Sequence, residues 1–174
     1  NRDKFTCNHC YRKKKVGFNL RHRKYSARRL PHTRMSKYIE TKVNEHIREN
    51  SPTAGEVTIR VLTAYRDTVV VKPEMREYVR QCQQRDSSQH PYLDEYPNEF
   101  EYTNRAIFAW QEIDGVDVCV FGMHVQEYGE DCPEPNKQVV YLSYLDSVHF
   151  FRPKQVRTAA YHEILLSYSP KLDR

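Results

Sequence analysis

Apolar positions four residues apart mark the most regular stretch of this chain. Met35, Ile39, Val43 and Ile47 recur at that interval, with Tyr38 and His46 beside them. The spacing predicts an amphipathic helix over residues 33–49. Pro31 stands just ahead of it, and Asn50, Ser51 and Pro52 close it. Alternation then takes over. Val57, Ile59 and Val61 alternate with Thr58, Arg60 and Leu62, which predicts a strand over 56–64. Tyr65, Arg66 and Asp67 read as a turn into a second short strand at 68–72, and 73–84 as a short helix. Residues 86–98, with Ser87, Ser88, Pro91 and Pro97, read as an exposed loop.

Residues 100–128 have the pattern of a β-hairpin. Asp114-Gly115 supplies the left-handed backbone angles that a tight primed turn needs. Ile107, Phe108, Trp110 and Ile113 precede it; Val116, Val118, Val120, Phe121 and Val125 follow. Both faces carry apolar residues, so the pair is expected at the centre of a sheet, covered on both sides. A third β-prone run, Val139 to Tyr144, reads as a well-buried strand. Asp146 and Ser147 interrupt it, and Arg152-Pro153 fixes a turn, because proline locks φ and restricts the residue before it. A helix follows, with Val156, Ala159, Ala160, Glu163, Ile164 and Ser167 at mixed spacings of three and four.

The junction between that strand and that helix carries the candidate chemistry. The first turn of a helix offers unpaired backbone N–H groups and a partial positive charge. Arg157 and Thr158 sit near that turn, and a guanidinium matches phosphate oxygens two at a time. Strand, polar pair, arginine and helix start form a seat for a phosphorylated ligand; an ordinary surface arginine satisfies the same spacing. Nucleophile constellations are absent: Cys119 falls in a core strand, and Cys82 and Cys132 have no histidine or acid at a diagnostic spacing. His124, His149 and His162 are scattered and read as structural.

Charge divides the chain. Residues 1–49 hold 15 Lys+Arg and 4 Asp+Glu, so 15 − 4 = +11, against +5 for the whole. Arg12 to Lys15, Arg21, Arg23, Lys24, Arg28 and Arg29 suit contact with nucleic-acid phosphates or a nuclear localisation signal; a solvated linker is the other reading. Glu127, Glu130, Asp131 and Glu134 read as a solvated acidic turn, though they would also attract a lysine-rich substrate. Cys7 and Cys10 form half of a zinc site, with His9 and His22 as possible partners; a redox or incidental pair has the same spacing. Aromatic residues at 12% argue against disorder despite a mean hydropathy of -0.86. No apolar run is long enough to cross a membrane, so no membrane partner is expected.

Longer stretches carry a resemblance. YLSYLDSVHFFRP followed by RTAAYHEIL, EIDGVDVCVFGMHVQEYGEDCPEPN before them, and YSARRLPHTRMSKYIETKVNEHI near the start closely resemble the CREB-binding-protein family of histone acetyltransferases. The likeness runs from about Cys7 to Tyr168 and is poorest over 86–98. It implies an α+β (α/β-like) fold with a central mixed sheet flanked by helices. It implies a nuclear transcriptional coactivator that transfers acetyl from acetyl-CoA to lysines of histone tails and transcription factors. Leu145, Asp146 and Ser147 match the family's coenzyme-contacting LDS, and Arg157 and Thr158 its phosphate-facing RT. Cys7 and Cys10 match the last pair of a PHD-type zinc finger, with the other zinc ligands expected upstream. Residues 1–24 would then be the end of that module and a basic linker, and 25–174 the N-terminal portion of the acetyltransferase domain. The family's catalytic tyrosine lies beyond Tyr168, so the chain is expected to be truncated and no catalytic residue is assigned. The alternative is a catalytically inactive truncated paralogue acting as a chromatin-associated scaffold.

Overall fold

The structure, a computed structural model, describes residues 26–85 and 97–168. A 3-10 turn (Ala27–Arg29) leads into helix α1 (Arg34–Asn50), strand β1 (Val57–Val70) and helix α2 (Pro73–Arg85). Strands β2 (Glu99–Ile113), β3 (Val116–Glu127) and β4 (Val140–Ser147) follow, then helix α3 (Lys154–Tyr168). The strands form one sheet in the order β1-β2-β3-β4. The α+β class is the one expected from sequence. Its finer detail differs: every pairing among the described strands is antiparallel, where a mixed sheet was expected. Parallel neighbours need a connection that crosses back to the starting end. Here each connection leaves and re-enters at the same end, α2 included.

Helix α1 begins where Thr33 caps it. Ser36 N–H donates to Thr33 Oγ1 at 3.0 Å and Thr33 N–H to Ser36 Oγ at 2.9 Å, a reciprocal capping box. Its four-residue stripe, Ile39, Val43 and Ile47, is fully buried. The stripe joins Val57, Ile59, Ile107, Ala109, Phe121, Met123 and Val125 from the sheet and Val156, Ala160, Ile164 and Tyr168 from α3 in one core. Two side chains of α1 also pair with the edge of β1 that has no neighbouring strand among the described residues. Asn44 pairs with Val57 through two bonds of 2.8 Å, and Ile59 N–H donates to Glu40 Oε2 at 2.6 Å.

Strand β1 corrects one expectation. It is a single strand of 14 residues, with no turn at Tyr65–Asp67. Pairing with β2 continues without a break from Thr63↔Ala106 to Val70↔Glu99. Tyr102 Oη donates to Asp67 Oδ2, and Asn104 Nδ2 to Tyr65 Oη, both at 3.1 Å. The polar triplet is the exposed part of a long ribbon, and burial ends at the bulge between Val61 and Thr63.

The predicted hairpin forms as read: Asp114 and Gly115 both have positive φ, 53° and 76°. β2 and β3 lie centrally, but among the described residues only one face is covered by helices. On the other face the segment before α1 covers Thr58 and Arg60, whereas Phe108, Trp110 and His124 stay half-buried. Strand β4 reverses a second expectation. It is an edge strand, with Tyr141 and Tyr144 exposed at 57% and 74%. Among the described residues it has β3 on one side and nothing on the other, and of its apolar run only the half-buried Val140 packs against the core.

Candidate functional site

The end of β4 and the side of α3 from Arg157 to Leu165 face each other across a cleft of about 430 Å³; the first three residues of the helix do not line it. Strand alternation sends Leu145 and Ser147 to the cleft side. Asp146, between them, pairs with Gly122 and is not among the lining residues; its Oδ1 accepts from Ser147 N–H at 2.8 Å. On the helix, Arg157, Tyr161 and Leu165 follow at intervals of four and line the opposite wall, with Thr158 and His162 as a second stripe. Phe121, Val148 and His149 complete the lining. Four of the five residues named from sequence, Leu145, Ser147, Arg157 and Thr158, therefore meet in one cleft, and Asp146 lies beside it.

Buried polar contacts hold the loop between the two walls. Val148 N–H donates to Val120 O at 3.0 Å. Gln111, 1% exposed, brackets Arg152 by accepting from its N–H at 2.8 Å and donating to its carbonyl at 2.6 Å. Tyr161 Oη donates to Val148 O at 2.9 Å, and Arg157 Nη1 to His149 O at 3.5 Å. Burial pushes the Tyr161 phenol up to about 12, against a smaller opposing pull from Arg157. The hydroxyl is thus a neutral donor at physiological pH. The cleft combines a guanidinium, two small hydroxyls and two imidazoles with an apolar floor. Such a set can hold an anionic head and a thin apolar arm.

Several sequence readings change here. His149 and His162 line the cleft and are exposed, so they are not structural histidines. The signal for His162 is its four-residue interval from Thr158, which the mixed periodicity of α3 obscures; His149, in the loop before α3, carries none. His124 does behave structurally, edge-on to Phe108 and Tyr144 at 6.0 and 6.1 Å. Cys119 is exposed at the β3 bulge, not inside the core. Glu127 is no free acid: it accepts from Arg105 Nε at 2.7 Å and from Tyr168 Oη at 2.6 Å. Among the described residues no cluster of acids, cysteines and histidines could hold a metal, and Cys7 and Cys10 lie outside them.

Residues 43–173 match the family described as histone acetyltransferase domain KAT3. The chain belongs to that family. It is 41% identical over 168 residues to the protein cbp-1 of Caenorhabditis elegans, covering 94% of this chain and 8% of that protein. It is 37% identical over 163 residues to histone acetyltransferase HAC1 of Arabidopsis thaliana, covering 82% and 9%. It is 34% identical over 189 residues to the probable histone acetyltransferase HAC-like 3 of Oryza sativa subsp. japonica, covering 94% and 14%. This KAT3-family chain thus spans only a small part of the length of each of these relatives. Both walls of the cleft fall within the matched residues.

Proposed function

We propose that this chain supplies the coenzyme-holding part of a lysine acetyltransferase, with acetyl-CoA seated in the cleft between β4 and α3. The observation that carries this reading is the convergence of Leu145, Ser147, Arg157 and Thr158 on one cleft. The residues suit the group chemically. Arg157 offers a planar fork of donors to phosphate oxygens, and Thr158 and Ser147 add hydroxyls. Leu145, Phe121 and Leu165 present apolar surface to a pantetheine-like arm. Bound acetyl-CoA would supply an activated acetyl thioester. The protein's task is to fix that thioester against a lysine amine and exclude water, which is where most of the advantage of a two-substrate site arises.

Histone lysines are the substrate class that fits the names of the relatives, and with it go a nuclear location and a coactivator role. The test is calorimetric titration of coenzyme A into the full chain and into Arg157→Ala. Loss of about 1.5–3 kcal/mol of binding free energy is expected, the range for hydrogen bonds to a charged group. An unchanged dissociation constant overturns the assignment. Transfer of radiolabelled acetyl to a histone H3 or H4 peptide separates the enzyme from the non-catalytic scaffold.

A further inference from the structure

We propose that the exposed cationic face built from the 3-10 turn and the first half of α1 docks on the phosphate backbone of double-stranded DNA. The surface is separate from the cleft and does not depend on what the cleft holds.

The backbone of this segment is anchored from beneath at several points. Ala27 N–H donates to Asp117 Oδ2 at 2.6 Å, tying it to β3. Arg60, only 1% exposed, donates through Nε to Leu30 O at 3.0 Å and through Nη2 to Arg28 O at 3.3 Å and His32 Nε2 at 3.0 Å. The Thr33–Ser36 capping box then sets the direction of α1. A buried arginine is a costly way to hold a loop. Its effect here is to fix, on a rigid base, a backbone whose own cations point outward.

Two of those cations, Arg34 and Lys37, have no ion-pair partner among the described residues. Arg28, Arg29, Arg34 and Lys37 are all exposed. Arg34 and Lys37 lie three residues apart on one helical face and make no ion pair or hydrogen bond through their side chains to any described residue. Arg28 has an exposed partner, Glu56 at 3.3 Å, a kind of pair that contributes little and exchanges readily. The chain leading into this surface is also basic, with Arg21, Arg23 and Lys24. Exposed cations on a helix, Arg34 and Lys37 without a partner among the described residues, suit the regularly spaced charges of a duplex, because each neutralised phosphate releases condensed counterions. The one large exposed aromatic on this helix, Tyr38, is too little for the stacking platform that single strands use. No element of the surface is arranged to read base edges, so binding should be independent of sequence.

The test is fluorescence anisotropy of a short labelled duplex with the full chain across a salt series, using Arg34→Ala, Lys37→Ala and the double variant. Lys72→Ala and Lys137→Ala, exposed cations elsewhere on the fold, are the charge-matched controls. The expected result is affinity that falls steeply with salt. The log–log slope should drop by about one for each of Arg34 and Lys37 removed and stay unchanged in the controls. Thermal unfolding of the same variants should match the parent, confirming an intact fold. Three results would overturn the proposal: a flat salt dependence, variants no weaker than the controls, or polyglutamate of equal charge displacing the duplex as well as unlabelled DNA does. The last would assign the surface to acidic protein segments instead.

Discussion

Replacing Glu40 by alanine should be among the most damaging single changes on the surface of α1, although Glu40 is partly solvent-exposed. Its Oε2 accepts from Ile59 N–H at 2.6 Å and from Arg60 Nη1 at 2.5 Å, and the Arg60 side chain is 1% exposed. Removing one partner of a buried pair leaves an uncompensated charge and costs about 3–5 kcal/mol. Two features place this case toward the lower end. Glu40 itself is 23% exposed, so part of its charge is already screened. Arg60 also retains the carbonyls of Ile59 at 2.6 Å and Leu30 at 3.0 Å. Against this, Ile59 N–H on the free edge of β1 loses its acceptor, worth about 1 kcal/mol. The expected loss is about 3 kcal/mol, a large share of the roughly 5–15 kcal/mol that holds a domain folded. Glu40→Gln keeps an acceptor for Ile59 and should lose about half as much. Arg60→Met together with Glu40→Leu removes both charges and should recover most of the loss, because apolar replacement of a buried pair is close to neutral. Urea unfolding followed by the fluorescence of Trp110, the single tryptophan, measures each variant. A Glu40→Ala loss below about 1 kcal/mol, or a double variant worse than the single, would refute the reasoning.

Two further changes test other parts of the fold. Gly122→Ala would place a Cβ 2.8 Å from Phe108 Cε1, so the ring must move; a loss of about 1–3 kcal/mol is expected, reduced in a Phe108→Leu background, both by urea unfolding. Tyr161→Phe should cost about 1 kcal/mol at neutral pH through the lost bond to Val148 O. It should also flatten the alkaline limb of stability. The folded phenol titrates near 12 against an ordinary 10.0, so its contribution is complete below pH 10 and lost as pH rises through about 12. Thermal unfolding between those two pH values checks this; an unchanged limb in the variant would place the pH dependence elsewhere.

Helix periodicity and turn chemistry were legible in the chain because both are local. The four-residue stripe of α1 and the Asp114-Gly115 turn form where the pattern put them. Burial was less legible, because it depends on what lies beside a strand. Val139 to Tyr144 has the composition of an interior strand, yet β4 is an edge among the described residues, and composition cannot report a neighbour. Tyr65–Asp67 has the composition of a turn yet continues a ladder, since its partners Tyr102 and Asn104 lie more than 30 residues away. The same limit applied in the cleft. Arg157 and Thr158 were found from their place at a helix start, whereas Tyr161, His149 and Phe121 entered only once α3 was laid against β3 and β4.

The two walls of the cleft are held with unequal firmness, and this bears on how the site works. Arg157 and Thr158 ride on a helix fixed to the core by Val156, Ala160, Ile164 and Tyr168. Ser147 and Leu145 hang from a strand that, among the described residues, is bonded on one side only. Strand ends without a second neighbour are the first to open. Two bonds oppose that opening where β4 leaves the sheet, Val148 N–H to Val120 O and Tyr161 Oη to Val148 O, and they use both polar groups of one peptide residue. Arg157 adds a longer contact to the next carbonyl, at His149. An anion in the cleft competes for that guanidinium, so whenever Arg157 turns to a ligand, Tyr161 is the side chain of α3 that still ties the loop to the helix. The Tyr161 phenol thus helps to set the width of the cleft that it lines, and affinity should track its bond to Val148 as well as the Arg157 charge.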